Sequence, residues 1–129
     1  MENELFTAVA TALRTQFPGI FVTGDSVGAP TAFPCVAIYE DDNYVSREDL
    51  DTADEAKIVS LRYRIDVYSN KTGSRKAEAK AILAAIEPLL YQRNFTRFSR
   101  TPLNDLGEKI YHVVSTYRVK TDGQSFYRV

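Results

Sequence analysis

The chain has 129 residues, with 16 Lys and Arg against 17 Asp and Glu, one His, one Cys and no Trp. That length supports one domain and buries enough surface to fold without a disulfide or a metal. A net charge of -1 excludes the broad basic excess of a general nucleic-acid binder, and one Cys excludes an intrachain disulfide framework or a cysteine zinc cluster. The near-neutral total hides a division along the chain. Residues 40–55 carry eight acids (Glu40, Asp41, Asp42, Glu48, Asp49, Asp51, Asp54, Glu55) against Arg47, a net of -7. Residues 57–129 carry a net of +8, and residues 1–39 a net of -2.

Glu2 to Phe17 reads as a helix, because Leu5, Phe6, Val9, Leu13 and Phe17 form one apolar stripe. Pro18-Gly19 ends it, since Pro cannot continue the hydrogen-bond ladder. Ile20 to Thr23 is a short strand, and Gly24 to Pro34 a loop punctuated by Gly and Pro. Cys35 to about Asn43 is apolar at its start and reads as a strand. Lys57 to Tyr68 alternates most clearly: Val59, Leu61, Tyr63, Ile65 and Val67 face the core, while Ser60, Arg62, Arg64, Asp66 and Tyr68 face away. Such a strand implies a sheet with one covered and one open face. The acidic stretch 44–56 between these two strands then forms the tip, or loop, of a long hairpin.

Ser74 is the expected N-cap of a second helix, Arg75 to Tyr91, with Ala79, Ile82, Leu83, Ile86 and Leu90 on one face. Pro88 is expected to kink that helix or restart its final turn. Phe95 to Arg100 reads as a strand, Thr101 to Gly107 as a loop, and Lys109 to Lys120 as a long Tyr- and Val-rich strand. Asp122-Gly123 signals a hairpin that returns Gln124 to Arg128 as an edge strand. Two amphipathic helices must bury their stripes on one sheet. The expected fold is an α+β two-layer sandwich over residues 1–129 as a single domain: a mixed, mostly antiparallel sheet of five to six strands with both helices on one face.

No basic start followed by an apolar run marks a secretory signal, and no apolar stretch approaches the ~18–20 residues of a membrane span. The expectation is a protein of a reducing compartment with no membrane contact. His112, the only histidine, lies in a Tyr- and Val-rich strand with no acid or nucleophile beside it in sequence, which favours a structural or interfacial role. Cys35 has no cation in its segment to lower its pKa and reads as a buried, inert thiol. Asp49, Asp51 and Asp54 resemble a carboxylate loop for a metal but lack the turn glycine and the closing acid. Asp41 or Asp42 with Glu55 and Lys57 mimics a Mg²⁺-dependent nuclease triad, a pattern this short being common in a chain with 26% charged residues. Gly73 to Lys76 could meet a phosphate at a helix start, but a capped helix explains it as well. No catalytic residue, metal site or cofactor emerges.

Basic and aromatic residues interleave near the C-terminus. Arg62, Arg64, Arg97, Arg100, Tyr111, Tyr117, Arg118, Phe126, Tyr127 and Arg128 are candidates for a subunit or partner interface, where Tyr and Arg are favoured anchors. The same pattern also occurs in single-strand nucleic-acid binders. Asp41, Asp42, Glu48, Asp49, Asp51, Asp54 and Glu55 form a candidate contact tip. An acidic protrusion on a basic body is complementary to its own copy, and a head-to-tail contact that closes makes a ring.

Tyr63-Arg64-Ile65-Asp66-Val67-Tyr68-Ser69-Asn70 followed by Lys76-Ala77-Glu78-Ala79-Lys80-Ala81-Ile82 resembles the central segment of bacteriophage tail terminator proteins. Phe33 to Ile38 upstream, with Asn94 to Arg97, Pro102 to Asn104 and Ile110 to Arg118 downstream, extends the resemblance from about residue 5 to residue 120. It implies a structural, non-enzymatic subunit of a ring, hexameric in that family, that caps the tail tube and stops its elongation. The implied partners are copies of itself, the tail tube protein, head–tail connector or neck proteins, and genomic DNA passing through the lumen without specific binding. The implied location is the tail–neck junction of the virion, after assembly in the host cytoplasm. A neighbouring neck protein (stopper or adaptor) is the alternative. A small monomeric adaptor outside viruses and the Mg²⁺-dependent nuclease trail it.

Overall fold

The computed structural model describes residues 2–44, 59–122 and 126–127. Helix α1 spans Glu2–Gln16, strand β1 Phe21–Thr23, β2 Cys35–Tyr44 and β3 Val59–Ser69. Helix α2 spans Arg75–Gln92, followed by β4 Thr96–Leu103, β5 Tyr111–Thr121 and β6 Phe126–Tyr127. The six strands form one mixed sheet in the order β1-β2-β3-β5-β4, with β6 paired to the far end of β5. Only β1 and β2 run parallel, and the remaining pairs are antiparallel. With both helices joining its core, the fold is the expected α+β sandwich.

The apolar periods explain that core. Leu5, Val9, Ala10 and Leu13 of α1 and Ala79, Ile82, Leu83, Ile86 and Leu90 of α2 pack on Val36, Ile38, Leu61, Tyr63, Ile65, Val67, Val113, Tyr117 and Val119 of the sheet. Each fully buried aliphatic side chain contributes roughly 1.5–3 kcal/mol of transfer free energy. β2 and β3 pair antiparallel in register from Cys35↔Tyr68 to Tyr44↔Ser60, as the two strands of a hairpin must. The acidic residues Glu48, Asp49, Asp51, Asp54 and Glu55, and with them the expected tip, lie outside the described residues.

Several local expectations change. The far face of β3 is not open at its C-terminal end, where Asp66 and Tyr68 are buried, and Ser60 near its start is buried as well. At the C-terminal end the cause is the parallel β1–β2 connection: its chain must cross the sheet to restart in the same direction, and Tyr68 Oη donates to the Val27 carbonyl of that crossover at 2.7 Å. Helix α2 is continuous through Pro88, whose exposed ring faces solvent. Ser74 holds the N-cap position without a side-chain capping bond. The helix ends instead on Asn94 in the left-handed region at φ 70°, which returns the Phe95 N–H to the Leu90 carbonyl and drops Phe95 into the core. β4 extends past Arg100 to Leu103, and Pro102 is accepted there because β4 is an edge strand with no inner ladder to break.

Candidate functional site

The structure distributes the candidate interface residues unequally. Tyr117 belongs to the core, fully buried, so it is not a surface anchor: the period that places it among aromatics also points it at the helices. Its hydroxyl lies 3.3 Å from Glu87 and 3.4 Å from Arg100. Arg97 and Arg100 converge on the same Glu87 carboxylate at 3.4 and 3.6 Å, tying β4 to α2. Arg62 pairs with Asp41 at 2.9 Å, where a β-bulge between Glu40 and Asp42 turns Asp41 toward the neighbouring strand. Arg118 lies over the Phe98 ring, 3.9 Å from its centroid. Phe126 packs edge-on against Phe95, and the Tyr127 hydroxyl donates to Asp122 at 2.8 Å. Asp42 is exposed, Tyr111 half-buried, and Arg128 lies outside the described residues.

One group of residues unites three elements in a way their separation in sequence conceals. His112 on β5 sits between two carboxylates: Nε2 is 2.7 Å from Asp66 Oδ1 on β3, and Nδ1 is 2.8 Å from Asp105 Oδ1 in the β4–β5 loop. The Arg64 guanidinium donates from Nε and Nη2 to Asp66, each at 3.0 Å, and the Tyr39 hydroxyl donates to it at 3.1 Å. Tyr68 stacks on the imidazole, with centroids 4.2 Å apart. Burial works against charge on His112, yet hydrogen bonds to Asp66 and Asp105 outweigh it and raise its pKa above the ordinary 6.5. Burial likewise opposes ionisation of Asp66, but the bonds from His112 and Arg64 hold it below 3.8. Asp105 is lowered chiefly by its bond from His112. When His112 is protonated, two cations and two carboxylates balance in this cluster.

Chemically this cluster is a clasp. Both imidazole nitrogens are bound to carboxylates and the ring is covered by Tyr68, so neither nitrogen is presented to a substrate. Burial also raises the Cys35 pKa, which keeps that thiol protonated and unreactive. Among the described residues no group of three or more His, Cys, Asp and Glu side chains is arranged to hold a metal ion. The pairing register of β3 and β5 sets Asp66 opposite Val114, two residues from His112 and on the same face of the sheet. That register is a tertiary fact. No local signal marked Asp105.

The geometry is that of a scaffold with outward surfaces, and comparison with known families agrees. The family model described as Tail completion protein gp17 matches residues 3–122. The chain belongs to that family. A search of curated proteins finds no match.

Tail completion proteins of this family are structural components of bacteriophage tails, which places this chain in the virion and in contact with other phage proteins. Its surfaces follow from that role. β4 is one edge of the sheet, and a bulge between Arg97 and Ser99 turns Phe98 outward until it is 54% exposed. Leu103 on the same strand and Tyr127 on β6 are also exposed, so this edge combines free strand backbone with apolar side chains. Among the described residues no helix is long and apolar enough to cross a membrane.

Proposed function

We propose that this tail completion protein is a tail terminator. Copies of the chain form a closed ring, hexameric as the resemblance implies, that caps the tail tube, stops its elongation and offers a docking surface to the head–neck proteins. The observation that carries the reading is the family match over residues 3–122, which takes in both helices and nearly all of the sheet. The β4–β6 edge supports it, because Phe98, Leu103 and Tyr127 give a subunit interface the apolar anchors that an isolated domain would avoid exposing. The ring passes genomic DNA without gripping it. Carboxylates of the 40–55 segment facing the lumen would repel a polyanion and keep it sliding. The role we propose is structural, in keeping with a histidine that serves as a clasp between two carboxylates.

Negative-stain images of particles assembled without this protein test the reading. Overlong tails or heads without tails are expected, and normal virions would refute it.

A further inference from the structure

The sheet ends in two open edges of opposite charge. β1 covers β2 only from Cys35 to Ala37, and among the described residues no strand pairs with the outer side of β2 beyond Ala37 or with the outer side of β4. β4 carries Arg97 and Arg100 and no acid, and both reach the single Glu87 carboxylate, which leaves positive charge in excess. β2 carries Glu40, Asp41 and Asp42 and no base, against Arg62 from β3. Glu40 also lines a recess of about 240 Å³ beside that edge, where Leu5, Phe6, Ile38 and Tyr63 form an apolar wall. An open strand edge beside apolar side chains is a template for another chain.

We propose that the β4 edge of one copy pairs with the outer edge of β2 in the next, so that one sheet runs on from subunit to subunit. The inference deepens the terminator reading, by naming the surface that receives β4, and rests on it. Strand direction supports the pairing. β2, β3, β5 and β4 alternate, so the two edges run in opposite directions. Copies related by rotation about an axis along the strands therefore meet there as an antiparallel ladder. Length agrees: Ile38 to Asn43 is open on β2, and Thr96 to Thr101 precedes Pro102, which has no N–H to donate. The faces agree as well. Arg97 and Arg100 stand on the helix side because they reach α2, and Glu40 stands there because α1 walls its recess. Joined edges set the arginine heads beside Glu40 and their aliphatic stems over the recess.

Charge also selects against symmetric dimers. β4 on β4 sets arginine against arginine and β2 on β2 sets acid against acid, and like charges facing across a strand pair destabilise it. The mixed contact alone is complementary. It is head-to-tail and leaves one edge of each sort unfilled until a ring closes. A chain cannot make this contact with itself, because β3 and β5 lie between the two edges, three strand spacings or roughly 14 Å.

Cysteine crosslinking tests the contact in the full chain. Thr101→Cys is combined in one chain with Glu40→Cys or with Asp42→Cys. Mild oxidation of at least one of these pairs is expected to give a ladder of disulfide-linked species on a non-reducing gel, and each single variant to leave mostly monomer. A disulfide needs Cα atoms within about 7 Å, so none closes across the sheet of one chain. Native Cys35 is fully buried and does not compete. In parallel, Arg97→Glu is expected to weaken self-association at low salt by about tenfold, as is Glu40→Arg. Combining the two reversals is expected to restore it, which a misfolded variant could not do. Monomer from both cysteine pairs, with light scattering still showing a ring, overturns the inference and leaves the terminator reading standing. A disulfide dimer as the main product of a single variant reports symmetric edge pairing and also overturns it, as does unchanged association of the charge variants. A wild-type chain that stays monomeric and gives no ladder removes both this contact and self-assembly.

Discussion

Replacing Asp66 with alanine should cost this fold more than any other single polar change. The Asp66 carboxylate is 1% exposed and accepts bonds from His112, Arg64 and Tyr39. Arg64 is about a third exposed, so once released it turns to water at little expense. His112 has no such escape: its side chain is 3% exposed, and Nε2 would lose its acceptor under the stacked Tyr68 ring. An orphaned buried donor costs roughly 1–3 kcal/mol, and breaking a buried ion pair from one side brings the total to about 3–5 kcal/mol. Against the ~5–15 kcal/mol that holds a domain folded, that loss lowers the melting temperature by on the order of 10–15 °C. Asp66→Asn keeps an oxygen acceptor and should lose about half as much. Urea unfolding at pH 6 measures both, and a loss below about 1 kcal/mol for the alanine variant would refute the clasp.

The pH profile supplies a second signature of the same cluster. His112 binds its proton more tightly in the folded chain, so its contribution is fully present below pH 6.5 and is lost as pH rises through the folded value. Asp66 and Asp105 shift the other way, so theirs is present above pH 3.8 and is lost as pH falls through their folded values. Wild-type stability should therefore be greatest between about pH 4 and 6.5 and fall on both sides. In Asp66→Ala the alkaline decline should flatten in part, because one of the two acceptors that raise His112 is gone and Asp105 remains.

Three further changes separate core from surface. Tyr117→Ala should cost about 3–5 kcal/mol of unfolding free energy and Tyr117→Phe about 1 kcal/mol, because the ring is core and the hydroxyl only bridges Glu87 and Arg100; a stable alanine variant defective only in assembly would contradict that. Pro88→Ala should stabilise the isolated protein by about 1 kcal/mol or more, since proline withholds a backbone donor late in α2; an unchanged melting temperature would show the helix already accommodates it. Phe98→Ser should leave stability within about 1 kcal/mol, given its exposure, and yet reduce self-association by analytical ultracentrifugation; normal assembly would remove the β4–β6 edge from the ring interface.

Much of the layout was legible because it rests on local periods. The stripes of α1 and α2, the alternation in β3 and the Gly and Pro punctuation each depend on neighbours a few residues away, so the two-layer arrangement followed from the amino-acid order. Where the reading failed, distant contacts had intervened. Tyr117 was sought at the surface because Arg and aromatic residues surround it in sequence, whereas the register of β5 against β3 points it at α2. Tyr68 alternated as a solvent-facing residue, but the β1–β2 crossover covers it.

The lone histidine shows the same boundary. Sequence identified His112 as structural or interfacial by finding no partner nearby. Its partners are Asp66, 46 positions away, and Asp105 in a loop 7 positions away, joined only when β3 and β5 pair. Charge was the reverse case: the acidic segment and basic body are properties of composition along the chain and needed no structure. That Asp41 of that segment meets Arg62 of the body at 2.9 Å is a matter of strand pairing and of the bulge beside it, and only the fold decides it.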